Sequence, residues 1–162
     1  MPPFLRRLAA WFAMAGCLAA CATALMTTLS VLGRAVIGKP IGGDVELTQF
    51  GIALCIALCL PWAQLSSANI IVDFFTQRTT ERTQRRLDAI GTLLLAVMVG
   101  FLAWRTTAGA LAVHGARETT MILGLPMWWT YVALAPGLAL TAVIALIQTW
   151  RRWQGLSAGV SG

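Results

Sequence analysis

The sequence predicts an all-α integral membrane protein with four transmembrane helices and both termini in the cytoplasm. Three observations carry this. Of its 162 residues, 58% are hydrophobic and only 11% are charged, whereas an ordinary soluble domain has about 25% charged residues. Too little polar surface remains to coat a globule in water, so lipid must solvate much of the chain. Four long runs without charge at their centres alternate with short charged segments. All seven tryptophans, Trp11, Trp62, Trp104, Trp128, Trp129, Trp150 and Trp153, fall near the ends of those runs, where indole rings prefer the headgroup boundary.

Each run suits a crossing, which needs roughly 20 apolar residues. The first is uncharged from Leu8 to Gly33. The second runs from Leu47 to Leu65, with a polar but uncharged extension to Val72. The third begins after Asp88, is clean to Trp104, and continues past Arg105, whose long stem can snorkel to the interface. The fourth starts at Pro126 and reaches Ile147. The predicted spans are therefore about 8–33, 47–65, 88–112 and 126–149. They fill a single membrane domain over residues 1–162, without room for a separate catalytic domain.

Loop charges set the orientation. Arg6, Arg7, Arg78, Arg82, Arg85, Arg86, Arg151 and Arg152 fall on one side, against Arg34, Lys39, Arg105 and Arg117 on the other, the latter partly offset by Asp44, Glu46 and Glu118. Lys and Arg accumulate in cytoplasmic loops, which places both termini and the 66–88 loop inside. The formal charge of +6 raises nucleic acid as a partner. The basic residues sit in small groups between apolar runs and form no basic face, so membrane lipids are the expected partner and nucleic acid is not.

Arg6-Arg7 followed by an apolar stretch and Leu18-Ala19-Ala20-Cys21 has the form of a bacterial lipoprotein signal, with Cys21 lipidated after cleavage. Signal cores are typically about 7–15 residues, and this run continues through Leu32. The expectation is an uncleaved first span. A processed lipoprotein or assembly factor is the alternative, and a mature chain beginning at Cys21 would identify it.

Chemistry-bearing residues are few. Cys17 and Cys21 on the first span, and Cys55 and Cys59 on the second, are each spaced i, i+4 and share a helix face. A four-span redox protein using these thiols is the alternative from another class. Thiols in lipid resist ionisation, however, and thiolate is what a metal needs; cysteine there also behaves as a small apolar residue. His114 is the single histidine and cannot supply paired axial ligands for a haem. No cofactor, metal, catalytic or substrate-binding residue is expected. Asp44, Glu46, Asp73, Glu81, Asp88 and Glu118 all lie in loops or at span ends. An ion-coupled carrier normally keeps an ionisable group inside a span, so this chain lacks the means to transport alone.

In the 66–88 loop, Ile70, Ile71, Phe74 and Phe75 recur at helical spacing and Asn69 and Asp73 are i, i+4, which predicts an interfacial helix. Arg78, Arg82 and Arg86 follow at four-residue intervals, and Glu81 precedes Arg85 by four, the favourable order for a helical ion pair. On the other side, Gly38 to Gly43 is a turn-rich link ending in Asp44 and Glu46. Thr119 to Pro126 leads into the fourth span, with Pro126 suited to a helix start. Pro61 and Pro136-Gly137 are candidate kinks.

The order of these short motifs resembles one family. Pro40-Ile41 with Glu46-Leu47, then Asn69-Ile70-Ile71-Val72-Asp73, then Arg78 through Leu87, then Gly115, Thr119-Thr120, Leu123, Pro126, Trp128, Tyr131 and Pro136-Gly137 are similar to the small membrane subunit, of DctQ type, of the tripartite ATP-independent periplasmic (TRAP) transporters. The resemblance covers roughly residues 8–150. Asn69 stands where the family often has histidine. The resemblance implies two protein partners: a large membrane subunit that carries the substrate and sodium sites and moves, and a periplasmic binding protein that delivers an organic acid. It further implies that the small subunit is a non-catalytic scaffold for the large one. Glu46, Asp73, Pro126, Trp128 and Tyr131 are then the candidates for structural or interface roles.

Overall fold

The computed structural model describes residues 3–66 and 81–154. They form four helices: α1 (Pro3–Ile37), α2 (Asp44–Leu65), α3 (Glu81–Ala116) and α4 (Trp128–Trp153). All four are long and apolar enough to cross a membrane. The expected all-α, four-span architecture is therefore found. Asp73 and the Asn69–Phe75 segment, where an interfacial helix was expected, lie outside the described residues.

The helices exceed the apolar runs at most ends. At 1.5 Å per residue, α1 and α3 are each over 50 Å long, against a hydrocarbon core of about 30 Å. Hydropathy marks only the part of a helix that lipid must solvate. Charged residues such as Arg6, Arg7 and Arg34 continue α1 on either side of that part, and Glu81 to Asp88 belong to α3 rather than to a loop.

Backbone conformation explains where the helices stop. Gly38 follows α1 at φ +75°, a left-handed conformation that costs glycine nothing and ends many helices. At the end of α3 the same position falls to Arg117 at φ 53°. The Glu118 amide donates to the Val113 carbonyl (3.3 Å) and the Arg117 amide to that of His114 (3.2 Å), satisfying carbonyls the ending helix leaves open. Pro126 does not begin the fourth helix, as its residue type suggests. It pairs instead with Thr119 in an isolated antiparallel bridge, and the Met127 amide donates to the Glu118 carbonyl (3.1 Å). These bonds hold the chain in a hairpin until Trp128.

The helices pack as an open row in the order α1, α2, α4, α3. α1 lies against α2, α2 against α4 and α4 against α3. Only the Pro3 end of α1 also reaches α4, and among the described residues neither α1 nor α2 touches α3. The central pair, α2 and α4, run parallel because each follows a reversal of the chain. Buried side chains are few and mostly small, as van der Waals packing between helices in lipid demands. Ala9, Leu65 and Ile144 form the main cluster, flanked by Trp62 and Leu140. Large apolar side chains point outward instead, among them Leu18 (70% exposed), Leu25, Leu111 and Trp150.

Where α2 and α4 cross, sequence and packing interlock. Pro61 lacks the N–H that would bond the Ala57 carbonyl four residues earlier. That carbonyl points at Gly137 on α4, so closely that a Cβ there would collide with it. A proline on one helix thus frees an oxygen, and a glycine on its neighbour makes room for it. Further toward the C-terminal end of each helix, about two turns past Ala57 and three past Gly137, Gln64 and Gln148 bond reciprocally: Gln64 Nε2 donates to Gln148 Oε1 (2.6 Å), and Gln148 Nε2 donates to the Gln64 carbonyl (2.8 Å). Both residues are buried, and an amide buried without partners would cost several kcal/mol, roughly 2–7.

Candidate functional site at the loop end

Two carboxylates, Asp44 and Glu46, stand at the end of the row that carries the 38–43 and 117–127 loops. There the first turn of α2, ahead of the apolar run that begins at Leu47, holds both loops through two carboxylates. Asp44 and Glu46 point in different directions because they are two residues apart on a helix.

Asp44 fastens α1 and the first loop. The Ser30 hydroxyl of α1 donates to Asp44 Oδ2 (2.6 Å) and accepts from the Ile41 amide (3.2 Å). The Val45 amide donates to Asp44 Oδ1 (2.8 Å). Ser30 is 1% exposed, so its hydroxyl needs these partners. Arg34 lies 3.7 Å from the same carboxylate but is 65% exposed; such a surface pair contributes about 0–1 kcal/mol. The Ser30 hydrogen bond, ahead of Val45 and Arg34 and against partial desolvation, holds the Asp44 carboxyl below the usual aspartate value.

Glu46 fastens the second loop. The Ile122 amide donates to Glu46 Oε1 (2.9 Å) and the Leu123 amide to Oε2 (3.2 Å). Within the loop, the Thr120 amide donates to the Leu125 carbonyl (2.9 Å), and the Leu125 amide donates to the Thr120 hydroxyl (3.1 Å). Partial desolvation of Glu46 opposes its ionisation, but the Ile122 amide, the Thr120 hydroxyl and the Leu123 and Met121 amides outweigh it and hold the carboxyl below the usual glutamate value. Gly43 completes the joint. It sits at φ +76°, and any side chain there would run into that of Leu123. Only glycine meets both demands.

The other sequence candidates gather nearby. Trp128 opens α4 and packs edge-on against His114 at the end of α3, ring centroids 5.3 Å apart at 81°, and against Trp129 at 6.0 Å. Tyr131, one turn on, lies flush against Gly109 of α3, where an added Cβ would stand 3.3 Å from the ring. Glu46 and Pro126 thus hold the 117–127 loop, while Trp128 and Tyr131 pack the start of α4 against α3. Asp73 lies outside the described residues.

Sequence reading missed the pairing of Gln64 with Gln148, the role of Ser30, and Arg152. Nη1 of Arg152 donates to the Asp88 carbonyl (3.1 Å) and to the Thr92 hydroxyl (2.7 Å), tying the end of α4 to the start of α3. The available signal was polar residues at matching depth in otherwise apolar runs.

The thiols lie at the α1–α2 contact. Cys17 and Cys21 are exposed, Cys55 and Cys59 half-buried, and none is in a disulfide. Cys59 Sγ lies 3.9 Å from the Ala13 carbonyl and fills the space that a side chain on Gly16 would need. Among the described residues no three His, Cys, Asp or Glu side chains converge as a metal site requires. A groove of about 470 Å³ between α1 and α2 is lined by Thr23, Thr27, Thr28 and Thr48 with Ile52 and Cys55. Each of these threonines donates to the carbonyl four residues back. The groove thus presents methyl groups and committed hydroxyls, a poor lining for an anionic substrate.

This geometry defines a multi-pass membrane protein whose polar side chains hold loops to helices and helices to one another. Its family follows from comparison: the model of the tripartite ATP-independent periplasmic transporters, DctQ component, matches residues 23–155. The chain belongs to the DctQ family and is the small component of a TRAP transporter, not an enzyme. No curated protein matches it.

Proposed function

We propose that this chain is the fixed scaffold subunit of a sodium-coupled TRAP transporter that imports an organic acid across a bacterial inner membrane. It acts with a large membrane subunit, which carries the substrate and sodium sites, and with a periplasmic binding protein. The open row of helices is the observation that carries this reading. A carrier surrounds its substrate between packed elements near the bilayer midplane, and four helices in a row enclose no such space. What the row offers is two broad apolar faces and an exposed α1 and α3 at its edges. The family membership supplies the partners that such a wall would support.

Residues 1–162 form one membrane domain in this reading, with both termini cytoplasmic, the orientation favoured by eight basic residues on the terminal side against four on the loop side. Glu46, Pro126, Trp128 and Tyr131 shape the periplasmic joint against which partners dock, and Asp73 contributes from the cytoplasmic loop.

Reconstitution tests the proposal. The chain alone in liposomes gives no substrate-dependent sodium flux, and adding the large subunit and binding protein produces it. Robust flux from the chain alone overturns the scaffold reading. Protease accessibility of tags on the two termini in right-side-out vesicles checks the orientation, and cleavage of either tag from outside reverses it.

A further inference from the structure

The 117–127 loop presents an apolar tip at Met121 and Ile122, beyond the residues to which the scaffold reading gives a role. Met121 is 101% exposed and Ile122 64%. The segment from Met121 to Pro126 carries no charge, while Arg117 and Glu118 remain at its base. Exposed apolar side chains on a wandering loop would mean little. This tip is fixed: Glu46 holds the Ile122 and Leu123 amides, Thr119 pairs with Pro126, and Leu123 rests on Gly43.

The same contacts give its depth. Glu46 immediately precedes Leu47, where the apolar part of α2 begins, and Trp128 and Trp129 open α4 just after the loop. Tryptophans at that position mark the headgroup boundary. Held on the first turn of α2 and just before the start of α4, the tip is within reach of the level where lipid headgroups give way to acyl chains. An apolar edge so placed lowers its free energy by entering the acyl region.

We propose that the Met121–Ile122 tip is a monotopic anchor inserted into the bilayer leaflet at the loop end, with phospholipid acyl chains as its ligand and Glu46 as the residue that positions it. The anchor is a property of the chain alone, independent of any partner and of the scaffold reading.

The test uses the full chain carrying Met121→Cys in lipid nanodiscs without other proteins, labelled with a charged, membrane-impermeant maleimide. The wild type supplies the baseline, since its four thiols all lie on spans. Lys39→Cys, at an exposed position in the other loop, reports the rate of a thiol in water, and each rate is normalised to that of the denatured protein. Insertion slows the thiol at 121 at least about tenfold relative to that at 39, because the bilayer excludes the reagent and disfavours the thiolate. Adding Glu46→Gln brings the two rates together. Equal rates at 121 and 39 in the otherwise wild-type chain overturn the proposal. So does protection at 121 that appears only when the large subunit is present, which would make the tip a protein-docking knob.

Discussion

At the scale of single residues, two carboxylates do different work from nearly the same place. Asp44 closes the short loop after α1, and Glu46 holds two amides contributed from 76 and 77 residues away in the chain. Replacing Glu46 by Gln leaves one acceptor oxygen and turns an amide donor toward a donor. The expected outcome is faster hydrogen exchange at the Ile122 and Leu123 amides, read by mass spectrometry, with α2 unchanged. Acid acts on the same contact. A carboxylate whose value is lowered in the folded protein stabilises above its ordinary value, here 4.5, and that stabilisation is lost as pH falls through the lowered value. Exchange at the two amides should therefore be pH-independent near neutrality, after correction for intrinsic rates, and rise only below about pH 4.5. The resemblance made Glu46 a candidate from sequence. Its partners were not legible, because they are backbone amides, which every residue but proline has.

Between elements, the crossing of α2 and α4 gathers two features sensitive to substitution. A methyl group on Gly137 must displace the Ala57 carbonyl, which is backbone and cannot swing aside. Gly137→Ala is expected to destabilise the chain by about 1–3 kcal/mol, as overpacking does, measured by thermal unfolding in detergent. The glutamine pair behaves differently. Gln148→Leu removes a partner from Gln64 and is expected to cost about 1–2 kcal/mol. The double change Gln64→Leu with Gln148→Leu should cost less than the sum of the single ones, because both polar groups then leave together. Pro61 and Pro136-Gly137 stood out in the sequence as possible kinks, whereas Gln64 and Gln148 did not stand out at all. Which helix neighbours which was not written in their periodicity. α2 and α4 are 63 residues apart at their nearest ends as numbered, Leu65 against Trp128, and only that juxtaposition gives the glycine and the glutamines their meaning.

At the scale of the whole molecule, the four crossings were the most legible property, since lipid solvation forces long uncharged runs on any chain that spans it. The helix ends were less so, because charged residues prolong a helix beyond the lipid without changing its hydropathy signal. The row predicts a division between inward and outward residues. Ile144→Ala, at a fully buried position, should cost about 2–5 kcal/mol. Leu18→Ala and Leu25→Ala on the outward face of α1 should change the stability of the isolated chain by under about 0.5 kcal/mol, as exposed positions usually do. If that face seats the large subunit, the same two changes weaken co-purification of the complex.

The order of the row also has a chronology. A ribosome delivers α1, α2, α3 and α4 in that sequence, yet among the described residues α3 touches α4 alone, and α2 lies beside α4. When α3 enters the bilayer its eventual neighbour has not been made, and the groove of α2 that receives Gly137 is still filled by lipid. The last of these four helices to be synthesised is thus the keystone, joining a finished hairpin to a waiting strut. A chain interrupted before Trp128 would hold its first hairpin and leave α3 adrift in the membrane, in the form a quality-control protease is built to find.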